Sequence, residues 1–278
     1  MYYFYAETAR IAIHAIQTKQ CSILLSCDLN LTEIRLRIDG QVLVLDDGAT
    51  VSLKQLETIK KRKTRIYVHD GLSLRLLEIR NTNYVKLVPT DTAPYLETSG
   101  VKLHISKGIC PFESAGRMAE TVVKKGALVL DTCSGLGYSA IRSAKLGCQQ
   151  TVTVEINADI MQLRTENPWS LGLYQNDAII QKHMDSGDFI KTCEDDAFDA
   201  VIHDPPRFSL AGGLYAYDFY RQLKRVLKKR GQLFHYTGNP HTVKNGHSFV
   251  SGVTKRLYDA GFKKVIPEKE LMGVKAFV

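Results

Sequence analysis

The chain has 278 residues, 44% of them hydrophobic and 24% charged, with a net charge of +8 and an isoelectric point near 9.1. That length accommodates one large domain, or a standard domain beside a small one, in a protein of ordinary soluble composition. No apolar run reaches the roughly 18 residues of a membrane span, and the start Met-Tyr-Tyr-Phe-Tyr lacks the basic region of a secretory signal. Six scattered cysteines with no C-x-x-C pair exclude a recognisable zinc or disulfide framework, so a cytoplasmic location without membrane or metal is expected.

In chain order, a helix is predicted around residues 5–18, and alternating Ile34, Leu36 and Ile38 predict a half-buried strand over 32–39. Val42 and Val44 continue it to the Asp47-Gly48 turn. Leu53 to Lys63 fits a short basic helix, with strands at 65–69, 72–79 and 84–88. Pro89–Gly100, rich in Thr and Pro, is expected to be a linker, so residues 1–99 form a small mostly-β domain and 100–278 a second one.

From Pro111 strands alternate with helices, the signature of a parallel sheet. Helices are predicted at 113–125, 138–146, 158–166, 187–193, 215–229 and 248–260. Strands are predicted at 127–131, 150–155, 178–183, 198–203 and 232–237, followed by a pair near 263–267 and 272–278. The short connection makes that last pair antiparallel. The fold class is therefore α/β, a seven-stranded Rossmann-like sheet with a small N-terminal mostly-β domain.

Residues 129–140, Val-Leu-Asp-Thr-Cys-Ser-Gly-Leu-Gly-Tyr-Ser-Ala, are the most informative stretch. A strand closes on Asp131, Gly135 and Gly137 let the backbone turn tightly, and a helix opens at Tyr138. The glycines also fit the dinucleotide fingerprint, and a plain strand-to-helix turn would look alike. Asp131 tilts the choice. A carboxylate ahead of the glycines repels a pyrophosphate but can hold an ammonium group, as in the methionine moiety of S-adenosylmethionine. Glu155, at the end of the second strand, stands where an acidic residue can hydrogen-bond ribose hydroxyls. After the third strand Asp188, or with less support Asp185, can accept from an adenine amine. Cys133, Tyr138 and Ile156 flank these residues and complete the candidate cofactor set.

The fourth strand ends His203-Asp204-Pro205-Pro206-Arg207-Phe208. Two prolines fix φ and remove two N–H donors, giving a stiff loop that presents Asp204 to both cofactor and substrate. A carboxylate there can accept hydrogen bonds from an attacking nitrogen and orient its lone pair. Phe208 can stack on a planar base and Arg207 can meet a phosphate or carboxylate. His203 and His235, ending adjacent strands, and His241 invite an acid–base role, although such histidines more often satisfy buried backbone groups. Trp169, the one tryptophan, is expected to pack the rim of the sheet. Two basic clusters, Lys60–Arg65 and Arg221–Arg230, can track a phosphate backbone or simply be solvated helix ends.

Four segments carry a family resemblance: Asp131–Tyr138, Asn167–Ser170, His203–Tyr215 and Phe234–Pro240. Over roughly residues 84–278 the chain resembles S-adenosylmethionine-dependent methyltransferases, closely so an uncharacterised archaeal family of predicted ones. The resemblance implies class I fold and cofactor, but no substrate. Amino-group methyltransferases usually carry an aromatic residue where Arg207 stands, which speaks against base flipping. 5-Methylcytosine enzymes need a cysteine in this loop, which has none. With the positive charge and the small β domain, the expected partner is RNA, methylated at nitrogen. Leu214-Tyr215-x-x-Asp218-Phe219-Tyr220 resembles spermidine synthase, so aminopropyl transfer is the alternative. A catalytically silent RNA-binding module is a third.

Overall fold

Leu128, Val129 and Leu130 form an apolar run with no alternation of polar residues, and Val129 and Leu130 are fully buried at the centre of a sheet covered on its two faces. That sheet belongs to a computed structural model that describes residues 1–238, 243–244 and 247–278. Asn239, Pro240 and His241 lie outside the described residues. The chain divides into two compact units, one of residues 1–111 with Thr165–Trp169, the other of 112–164 with 170–278.

In the second unit seven strands form one sheet: β1 (Leu128–Asp131), β2 (Gln150–Glu155), β3 (Ile179–His183), β4 (Phe198–His203), β5 (Leu227–Tyr236), β6 (Lys264–Glu268) and β7 (Gly273–Phe277). Their spatial order is β3-β2-β1-β4-β5-β7-β6, with β1 to β5 parallel and β7 antiparallel to both its neighbours. This is the class I methyltransferase arrangement. The connections leave β1 first towards β2 and then towards β4, so a crevice opens at the carboxyl ends of β1 and β4, where ligands of such sheets bind.

The longer helices of this unit are α1 (Pro111–Glu120), α2 (Tyr138–Lys145), α3 (Ala158–Thr165), α4 (Ser186–Thr192), α5 (Tyr217–Val226) and α6 (Phe249–Asp259), and a single helical turn, Phe208–Ala211, follows the proline loop. The helix expected over 215–229 is shorter, because a 3₁₀ turn occupies Gly212–Tyr215 and β5 already begins at Leu227. Phe219, Tyr220, Leu223 and Val226 supply the buried face of α5 against Leu233, Val253 and Leu257. Among the described residues no helix is long and apolar enough to cross a membrane.

The first unit contains helices Ala6–Gln17 and Leu53–Lys60 and three small antiparallel sheets. Its core gathers Phe4, Ala12, Ile16, Leu36, Leu43, Leu56 and Ile59. Ser52 caps the second helix, accepting from the Gln55 backbone N–H while the Gln55 side chain returns the bond. The expected linker is part of this unit: Tyr95–Thr98 pairs with Tyr84–Val88, and Asn30 donates to the carbonyls of Thr90 and Thr92. The division falls at Pro111 rather than near residue 99. Ser22–Leu25 is a further strand; three successive apolar residues gave it no alternation to read.

Thr165–Trp169 interrupts the second unit in sequence but belongs to the first. The Trp169 indole N–H donates to the Leu29 carbonyl at 2.8 Å, the Tyr3 hydroxyl donates to the Glu166 carbonyl at 2.7 Å, and Arg75 pairs with the Glu166 carboxylate. Trp169 is thus a fastener of the N-terminal unit, not a rim of the large sheet.

Candidate active site

The glycine turn forms because only glycine takes its backbone without strain. Gly135 and Gly137 have φ of +49° and +76°, and a Cβ on Gly137 would lie 2.3 Å from a Leu173 methyl. Asp131, with no exposed surface, ends β1 just ahead of that turn. Its Oδ2 accepts from the hydroxyls of Ser139 at 2.9 Å and Thr153 at 2.8 Å. Its Oδ1 is buried without a hydrogen-bond partner. Burial, with a smaller push from Glu155, raises the carboxyl to about 6, against the opposing pull of the two hydroxyls and the Cys133 N–H.

Glu155, buried at the end of β2, accepts from the backbone N–H of Gly135 at 2.9 Å through one oxygen and from that of Asn157 at 2.9 Å through the other. It therefore braces the glycine turn as well as facing the crevice edge. Burial raises its pKa, and those N–H groups together with Arg164 oppose the rise. Ile156 is 61% exposed, an apolar side chain left beside this carboxylate. Cys133 is part-buried, and burial with the charges of Glu155, Asp131 and Asp204 keeps its thiol protonated.

On the other side, Asp204 follows β4. Burial first, and Asp131 second, push its carboxyl up to about 7. Tyr236, ending β5, has its phenol raised to about 12 by burial and by Asp204, with Arg207 opposing. The Asp204, Tyr236 and Arg207 side chains therefore share one neighbourhood. Arg207 and Phe208 are exposed, and the Phe208 ring meets Tyr215 and Phe249 edge-on at 5.7 and 5.9 Å.

Not every expected residue joins this group. Asp188 is exposed and paired with Lys191, and Asp185 is spent as the cap of α4, accepting from the N–H of Gly187 and Asp188. Ser186, between them, donates to the Thr132 carbonyl and ties α4 to the glycine motif. Tyr138 is buried and packs edge-on against Phe112, so its ring lies in the core of this unit. His203 and His235 are fully buried with hydrogen bonds at both ring nitrogens; burial lowers His203 to about 3 and His235 well below its usual value. Burial thus holds both rings towards the neutral form.

The second basic cluster also changes meaning. Arg225 donates to the carbonyls of Cys193 and Ile190 and pairs with Asp195, while Lys228 pairs with Asp199 at the start of β4. These cations hold the amino-terminal edge of the sheet, the edge opposite the crevice. Lys60 to Lys63 remain exposed, whereas Arg65 pairs with Glu78.

Sequence patterns missed Arg164. Its side chain is 1% exposed and donates to Ser134 Oγ at 2.9 Å, the Gly135 carbonyl at 3.1 Å and Gln181 Oε1 at 2.7 Å. It supports the glycine turn from α3. The available signal was a charge four residues after Ile160 on the inward face of that helix.

No family model matches the chain. "Uncharacterized protein MJ1233" from Methanocaldococcus jannaschii is 40% identical over 275 residues, covering 97% of this chain and 94% of its own. The chain belongs to the family of that archaeal protein. Among solved structures, spermidine synthase in complex with the transition state analogue AdoDATO aligns with a TM-score of 0.60 and 12% identity, over 90% of this chain and 77% of its own. Spermidine synthase from Thermotoga maritima gives 0.57 and 11%, over 90% and 76%. At such identities the likeness is one of fold.

Proposed function

We propose that this protein is an S-adenosylmethionine-dependent methyltransferase acting on a nitrogen, with RNA as the substrate class. One observation carries the cofactor: Asp131 Oδ1, buried and unpartnered beside a glycine turn, is an acceptor awaiting a cationic donor. Asp131 would hold the ammonium of the methionine moiety and Glu155 the ribose hydroxyls, with Ile156 against the adenine. S-adenosylmethionine supplies, when bound, an electrophilic methyl group on a sulfonium. Asp204 would accept hydrogen bonds from the attacking nitrogen, aim its lone pair and take up its proton. A carboxyl raised to about 7 is matched to that task near neutral pH.

RNA is supported by the exposed Lys60–Lys63 run, and no longer by Arg225 and Lys228. Radiolabelled methyl transfer into RNA, with nucleosides separated afterwards, tests both parts. Neutralising Lys61 and Arg62 should weaken RNA binding and reduce its salt slope by roughly 2. No RNA affinity at low salt would leave the methyl-transfer part standing and move the substrate to another class.

Aminopropyl transfer is the second reading, favoured by the two mutually influencing carboxylates Asp131 and Asp204, which suit a cationic amine. Decarboxylated cofactor with putrescine is expected to yield nothing. Product from that pair, with none from RNA and the ordinary cofactor, would replace methyl transfer.

A further inference from the structure

Two buried histidines take no part in the chemistry just assigned, yet their hydrogen bonds join the end of β1 to the loop after β4. His203 Nε2 lies 2.9 Å from the Leu214 carbonyl, and His203 Nδ1 lies 2.7 Å from Thr132 Oγ1. A carbonyl only accepts, so Nε2 carries the hydrogen; Nδ1 is then the acceptor, and the Thr132 hydroxyl donates to it. The His203 carbonyl in turn accepts from His235 Nδ1 at 3.2 Å, and His235 Nε2 accepts from the Tyr220 hydroxyl at 2.8 Å. The two rings are 4.4 Å apart. Because burial keeps both rings neutral, the chain of bonds does not change with pH across the physiological range.

The far end of this chain closes on the proline loop. Tyr215, 3% exposed, donates to the Pro206 carbonyl at 3.0 Å and lies 3.4 Å from that of Pro205. Prolines have no N–H, so their carbonyls are the backbone groups by which the loop can be tethered, and the Tyr215 hydroxyl takes them. Thr132 directly follows Asp131, and Leu214 directly precedes Tyr215. A continuous path therefore runs from the cofactor-side carboxylate through Thr132, His203 and Leu214 to the backbone beside Asp204.

We propose that His203 and Tyr215 are positioning residues: together they clamp the Pro205–Pro206 loop to the end of β1 and so fix where Asp204 stands relative to Asp131. The activity arm of the test rests on the methyl-transfer reading; the structural arm does not. Tyr215→Phe keeps the ring against Phe208 and Phe249 and removes only the hydroxyl.

The N–H groups of Leu210 and Ala211 bond to the Arg207 carbonyl and report on the loop. In Tyr215→Phe their hydrogen exchange should accelerate roughly tenfold or more while Ile141 in α2 is unchanged. Turnover should fall by about fivefold or more with cofactor Kd within about twofold. Nitrogen-15 spectra of wild type should show His203 as the neutral Nε2–H tautomer from about pH 5 to about pH 8. His203→Gln, which retains a donor and an acceptor, should keep more turnover than His203→Leu. Unchanged exchange at Leu210 and Ala211 in Tyr215→Phe, or a His203 ring that titrates within that range, would overturn the clamp. If exchange and tautomer behave as expected but wild type transfers no methyl to any nitrogen, the clamp stands and the methyl-transfer reading falls.

Discussion

The two lips of the crevice are built on opposite principles. On the β1–β2 side each charged side chain is held by internal hydrogen bonds, Asp131 by Ser139 and Thr153, Glu155 by Gly135 and Asn157, Arg164 by Ser134, Gly135 and Gln181, with Asp131 Oδ1 and Arg164 Nε left over. On the β4–β5 side the Pro205–Pro206 step, which has no N–H donors, accepts from the Tyr215 hydroxyl and is followed by the exposed Arg207 and Phe208. A lip preorganised by internal hydrogen bonds suits an invariant ligand, and a lip of exposed side chains suits recognition of a variable one. The difference teaches that, on the proposed function, cofactor and substrate determinants can be perturbed separately.

The sharpest break in that separation is Asp204→Ala. Turnover should fall by about 10²–10⁴-fold, while calorimetry shows cofactor affinity nearly intact; Asp204→Asn, which keeps an acceptor, should lose less. Comparable losses in affinity and turnover would mean that Asp204 belongs to the cofactor side. Next comes Arg164→Met, similar in length and without the guanidinium. Chemical denaturation should show a loss of about 2–4 kcal/mol, because buried partners are left unpaired. A loss below that of an ordinary surface change would show that the glycine turn supports itself.

Glu155→Ala should weaken cofactor binding by about 1–3 kcal/mol in calorimetry. Equal affinity would restrict Glu155 to bracing the turn. The smallest effect expected concerns pH. Asp204, raised to about 7 in the folded chain against roughly 3.9 in an unfolded one, keeps a proton that the unfolded state has already lost. Its contribution to stability therefore falls as pH rises from about 4 to about 7 and stays low above. Asp204→Asn should match wild type near pH 4 and exceed it near pH 8 by about 1–2 kcal/mol, discounted for partial exposure. Urea melts at the two pH values check it, and a pH-independent difference would place the carboxyl in water.

The large sheet was legible because its strands are apolar runs separated by helices of matching length, and the strand-end acids Asp131 and Glu155 stand at positions that such a sheet brings to one edge. The N-terminal unit was less so. Tyr95–Thr98 was hidden behind a Thr- and Pro-rich approach that composition alone assigns to a linker. At the site, position in sequence did not show that one helix turn leaves Asp188 in solvent and another buries Tyr138. Arg164 acts on a carbonyl 29 residues away, and no local pattern marks a side chain for a remote carbonyl; Tyr215 lay inside a recognised motif, but that motif did not show that its hydroxyl holds the Pro206 carbonyl. The charge of Arg221–Arg230 was countable, but whether each cation faced solvent or a carbonyl was not.

The short excursion Thr165–Trp169 gives the protein an order of assembly. A ribosome delivers residues 1–111 long before Trp169, yet the Leu29 carbonyl, the Tyr3 hydroxyl and Arg75 wait for that segment. The first unit can be finished only once the leading strands of the second have emerged, so the two halves mature as interleaved products rather than in succession. For the same reason, neither half is a cassette to be cut out at Pro111: excision would strand Trp169 and the buried Asn167 without the surroundings that shelter them.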